Sequence, residues 1–113
     1  MSDLFLERIA EVRERFASRL DSRIEEIGCA ARCDCGEAGL DAIALAHRHA
    51  HGLCGVGATL GFVGTGKVAR SIEQLLLPVV KAGRELTDDE IPRLREGLTL
   101  LRATASAEIA AIH

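Results

Sequence analysis

Apolar residues recur at spacings of three and four along nearly the whole chain, in four runs separated by short polar or glycine-rich breaks. In the first run Phe5, Ile9, Val12, Phe16, Leu20, Ile24 and Ile27 fall on one face, the period of an amphipathic helix with one side in a core. Ser2 or Asp3 is expected to cap its start, and Cys33-Asp34-Cys35-Gly36 to break it. A second helix is expected from near Glu37 to about Leu60, carrying Leu40, Ile43 and Leu45. Three glycines between Gly61 and Gly66 then predict a turn or loosened segment. The third run is Val68, Ile72, Leu75, Leu76 and Val79. Pro78 should kink or end its last turn, and Gly83 should stop it. Thr87-Asp88-Asp89-Glu90 has the capping-box pattern, although Pro92, tolerated only in a first turn, favours Asp89 as the cap. Ile91, Leu94, Leu98, Leu101, Ala105, Ile109 and Ile112 form the last stripe. No alternating run is long enough for a sheet. The expected fold is all-α, an up-down-up-down four-helix bundle, with residues 1–113 as a single domain.

Composition narrows the partners. A formal net charge of −3 argues against nucleic acid, which calls for a basic surface. No apolar run reaches the length of a membrane span, and the charged N-terminus is not a signal peptide, so the expected location is the cytoplasm. There the four cysteines read as reduced thiols. Cys29, Cys33 and Cys35 are spaced by four and then two, unlike the paired Cys-x-x-Cys of a zinc site.

The stretch richest in chemistry is His51 to Phe62, one histidine followed by Gly52, Gly55, Gly57 and Gly61. Each glycine inside a helix costs about 1 kcal/mol relative to alanine, so this run calls for a reason. Gly52 adjoins His51 and Gly55 is one turn further along the same face, which leaves the imidazole open to another molecule. A neutral imidazole is a nucleophile at physiological pH. His47 and His51 share a helix face, with His47 expected as a surface neighbour and His49, pointing away, as a half-buried structural histidine.

The same residues carry a family resemblance. His51, Leu53, Gly55, Thr59, Gly61 and Phe62, with Leu45-Ala46-His47 before and Ile72-Glu73 after, resemble the signature of histidine-containing phosphotransfer (HPt) domains over roughly residues 40–75. The resemblance implies a phosphoryl carrier without kinase activity of its own, an intermediary between receiver-domain aspartates in a two-component phosphorelay. His51 would be the phosphoacceptor through Nε2, and Leu53 and Leu60 would anchor the helix. It implies no cofactor in this chain, with Mg²⁺ supplied by the partner receiver domain. The partners would be response-regulator receivers, and a hybrid histidine kinase is a further one; the expected state is a monomer. Many family members carry a lysine or another polar residue where this chain has Cys54. Arg48 is the expected substitute for that charge, with Lys67 and Arg70 at the edge of the docking surface.

Three other readings compete. His47 and His51, at i and i+4 with Cys54 following, could ligate a metal ion or haem. Gly61-Phe62-Val63-Gly64-Thr65-Gly66-Lys67 fits a phosphate-binding loop up to Val68, which stands where that loop has Ser or Thr. Such a loop follows a strand, so the match reads as accidental. Lastly, the chain could be a structural or adaptor bundle without an active histidine, its glycines merely letting helices approach.

Overall fold

The computed structural model of the chain describes residues 2–32 and 37–112. Four helices account for most of them, α1 (Ser2–Arg32), α2 (Glu37–Thr59), α3 (Val63–Ala82) and α4 (Glu90–Ile112), and no strand occurs among the described residues. Each helix packs on its two neighbours in ring order, and none packs across a diagonal. This is the expected four-helix bundle. The predicted break at Cys33–Gly36 lies outside the described residues, as do Cys33 and Cys35; Cys29 and Cys54 are free thiols.

The apolar stripes meet in one core. Leu20, Ile24 and Ile27 of α1, Leu53 of α2, Ile72, Leu76 and Val79 of α3, and Leu94 and Leu101 of α4 are buried. Phe62, in the α2–α3 connection, is fully buried and packs on Phe16 with ring centroids 5.0 Å apart. Phe5 and Val12, placed on the core face by the sequence pattern, are exposed instead. The reason is length: α1 has 31 residues against 20 to 23 in the other helices, so its first turns run past them.

The helix ends account for the remaining departures from the sequence reading. α1 already includes Ser2 and Asp3, so neither stands outside it as a cap. α3 starts at Val63, inside the predicted loose segment, because a carboxylate from α4 reaches its first turn. Glu108 accepts the N–H of Gly64 at 3.0 Å and of Thr65 at 2.7 Å, and the Thr65 hydroxyl at 2.5 Å. These are donors that a helix start leaves without intrahelical partners. A Cβ on Gly64 would lie 2.8 Å from Thr104 Cγ2, so glycine there admits α4. The turn itself is made by Gly61, whose φ of +93° suits glycine. Pro78 is exposed within α3, which continues to Ala82 and ends at Gly83, φ +61°. At α4 the cap is Thr87 and not Asp89. The Glu90 N–H donates to Thr87 Oγ1 at 3.2 Å, and the Thr87 N–H to Glu90 Oε1 at 2.9 Å. Both halves of the capping box are therefore made, and Pro92 is the third residue of α4 counted from Glu90.

Candidate functional site: an exposed histidine on α2

α2 and α3 come together through their glycines. A Cβ on Gly57 would lie 3.3 Å from the Phe62 carbonyl oxygen and 3.5 Å from Gly66 Cα; one on Gly66 would lie 3.3 Å from the Cys54 carbonyl oxygen. This close crossing sets the two helices antiparallel. Two turns along α3 from Gly66 is Glu73, and on α2 one turn before Cys54 is His51.

The two side chains meet. Glu73, only 18% exposed, is hydrogen-bonded to Nδ1 of His51, whose side chain is 74% exposed. An ionised carboxylate only accepts, so it selects the tautomer with the proton on Nδ1. Nε2 is then the nitrogen with the free lone pair. The arrangement is the orienting half of a nucleophile–base relay: an inner carboxylate fixes the ring, and the outer nitrogen faces whatever approaches.

Approach is unobstructed. A Cβ on Gly52 or Gly55 would meet nothing within 4 Å, so the fold itself does not call for glycine at either position. Leu53, between them, is fully buried and fixes the helix. Leu60 is half-buried against the core, and Arg13 of α1 donates from Nε to its carbonyl oxygen at 2.9 Å. That bond holds the α2 C-terminus, where a cation also opposes the helix dipole.

The other expected site residues divide. His47 is half-buried and not a surface neighbour. The face it shares with His51 inclines toward α3, and its Nε2 is buried with no hydrogen-bond partner. Its ring lies nearly parallel to that of His51, 15° apart, with centroids separated by 6.4 Å. His49 is half-buried, as expected. Cys54 is half-buried against the core, so its thiol belongs to the packing. Arg48, Lys67 and Arg70 are exposed. They lie on the two helices that present His51, without a hydrogen bond or ion pair to it or to Glu73. Among the described residues no group of three or more His, Cys, Asp or Glu is placed to hold a metal. The phosphate-loop match fails for a structural reason. Its backbone N–H groups at Gly64 and Thr65 are already taken by Glu108.

Glu73, hydrogen-bonded to His51, and Glu108, which caps α3, are carboxylates that the sequence pattern left unassigned. Glu73 sits inside the Ile72-Glu73 pair of the family resemblance, yet its partner lies 22 residues away in the chain. Burial pushes the Glu108 carboxyl up, and the hydrogen bonds from Thr65 and Gly64 outweigh it, leaving the group below the ordinary glutamate range.

A family model described as Hpt domain matches residues 1–104 of the 113. No curated protein and no solved structure matches the chain.

Proposed function

Because the chain belongs to the Hpt domain family, whose members serve histidine phosphotransfer in phosphorelays, we propose that His51 is its phosphoacceptor and a receiver-domain aspartate its exchange partner. The carrying observation is the exposed imidazole held at Nδ1 by Glu73. In the forward step the Nε2 lone pair attacks phosphorus of an aspartyl phosphate. The P–N bond forms as the P–O bond to the aspartate breaks, and the bonding pair leaves with the carboxylate. The ring becomes cationic, and Glu73 stabilises that charge through Nδ1–H. Return transfer to a second aspartate reverses each change.

The chain's own share of the work is positioning. Leu53 and the α2–α3 crossing hold the helix, while Gly52 and Gly55 admit the partner's active site. By family resemblance, the partner supplies the aspartate and the divalent cation, Mg²⁺. Arg48, exposed one turn before His51, offsets phosphoryl charge in place of the absent lysine, and Lys67 and Arg70 edge the docking surface. Arg48→Ala should slow acceptance; an unchanged rate would remove that role.

No helix of the described residues is long and apolar enough to cross a membrane, in keeping with a cytoplasmic site of action. The test is transfer from a panel of phosphorylated receivers to the wild type and to His51→Gln, with ATP alone as a control. Label on the wild type from a receiver, none on His51→Gln and none from ATP supports a carrier without kinase activity. Labelling of His51→Gln to the wild-type level would refute the assignment.

A further inference from the structure

α1 and α4 pack together on the side of the bundle away from the α2–α3 pair that presents His51. Arg102 of α4 donates from Nη2 to Glu25 Oε1 of α1 at 2.8 Å, and this pair fixes the register of the two antiparallel helices. Two turns on, about 10 Å along each axis, Arg32 of α1 comes level with Arg95 of α4. Like charges at one level of a helix pair repel, and Arg32 turns away. Its guanidinium folds back along α1 over Gly28, where a Cβ would stand 3.0 Å from Nη1, and Nη2 comes within 3.5 Å of Glu25 Oε2. The glycine gives the guanidinium its place.

The result is a groove of about 410 Å³ walled by Arg32, Arg95 and Arg102 over a floor of Gly28, Ala31 and Leu98, the size of a site for a small molecule. No carboxylate lines it. Among the described residues Glu25 is the one anion paired with these arginines; it is shared by Arg32 and Arg102, and Arg95 has none. Three guanidiniums against one carboxylate leave an excess of positive charge, in a chain whose net charge is −3.

We propose that the α1–α4 groove is a binding site for a small phosphorylated ligand of the diphosphate class. A guanidinium meets phosphate oxygens through two parallel N–H donors. Arg95 and Arg102 stand two turns apart on one wall and Arg32 reaches in from the other, a spread that suits two linked phosphate groups better than one. The existing ion pairs yield readily, because the side chains of Arg32, Arg102 and Glu25 are all exposed and such pairs are weak. An acidic protein segment fits less well. Ala31 and Leu98 are buried, so the groove offers no exposed apolar anchor of the kind protein interfaces centre on. A ligand there leaves His51 open, since the acceptor is presented by the other two helices.

Isothermal titration calorimetry of the full chain with pyrophosphate, in low-salt buffer free of divalent cations, tests this. The wild type should bind one pyrophosphate per chain with a Kd below about 1 mM. Arg95→Gln and Arg32→Gln should each weaken binding about tenfold, the loss of one charge-assisted contact. Glu25→Gln should instead tighten it about threefold, because it removes a competing anion and frees two guanidiniums. All three positions are exposed, so the circular dichroism spectra should not change. A wild type that binds no pyrophosphate at about 10 mM overturns the proposal. Binding that survives both arginine substitutions overturns it too, since the anion would then sit elsewhere, as on Arg48, Lys67 and Arg70 of the His51 face. A polyglutamate peptide that binds the groove more tightly than pyrophosphate would give it to an acidic protein and overturn the ligand class.

Discussion

Gly55→Ala separates a docking role for the glycines from a packing role. The added methyl meets nothing within 4 Å, and the position is exposed about one turn before the C-terminal end of α2. The folded state therefore gains helix propensity without strain, up to about 1 kcal/mol. For a chain of 113 residues an unfolding entropy near 2.1 cal/mol/K per residue makes this a rise in Tm of up to about 4 °C. The same methyl stands one turn from His51, in the space a receiver must enter. Overpacking a fitted interface costs about 1–3 kcal/mol, which slows transfer about 5- to 150-fold. Thermal unfolding followed by circular dichroism, alongside the rate of phosphoryl transfer from a receiver, measures both effects on one protein. Gly57→Ala is the internal control: its Cβ would press on the Phe62 carbonyl oxygen at 3.3 Å and on Gly66, so it should lower Tm. A stabilised Gly55→Ala with undiminished transfer would refute the docking argument. A destabilised one would mean that the fold, and not a partner, demands the glycine.

Three further outcomes follow from the carboxylates. Glu73→Gln keeps an acceptor for Nδ1–H and removes the charge opposing a cationic ring, so transfer should fall about 10- to 100-fold, the worth of one charge-assisted hydrogen bond; an unchanged rate would leave Glu73 a purely structural partner. Glu108→Ala exposes the unpaired N–H groups of Gly64 and Thr65 and should cost about 2 kcal/mol, with faster amide hydrogen exchange at those two residues; exchange unchanged there would contradict the capping role. Glu90 is held to about 2 by its hydrogen bond with Arg84, aided by Thr87 and opposed by burial. Its folded pKa is thus below the unfolded value of 4.5, so its contribution is complete above about pH 4.5 and drains away as pH falls toward 2. Chemical denaturation across that window should show Glu90→Gln with a shallower acid loss than the wild type, and parallel curves would count against the pairing.

How far the sequence reached follows from the range of each interaction. The four helices and the stop at Gly83 are written in periodicity and local turn chemistry, which act within a few residues, whereas the anchoring of α2 through Leu53 follows from the family resemblance. The start of α3 is illegible in local sequence because Glu108 lies more than forty residues from the N–H groups it caps, and glycines at Gly64 and Gly66 otherwise signal a break. Pro92 favours Asp89 as the cap, yet the reciprocal Thr87–Glu90 bonds make Thr87 the cap. His51 stood out through its glycine neighbours. Glu73 did not, since a glutamate on a helix is ordinary until the Gly57–Gly66 crossing brings it under the ring. The stripe through Phe5 and Val12 is apolar yet exposed, because period reports a face and not what covers it.

The most direct test of the central claim is NMR of the ¹⁵N-histidine-labelled protein before and after phosphorylation by a receiver. One imidazole, that of His51, should change, with phosphorus on Nε2, the proton retained on Nδ1, and an adduct labile in acid and stable in base. Phosphorus on His47, on His49 or on Nδ1 of His51 would contradict the account.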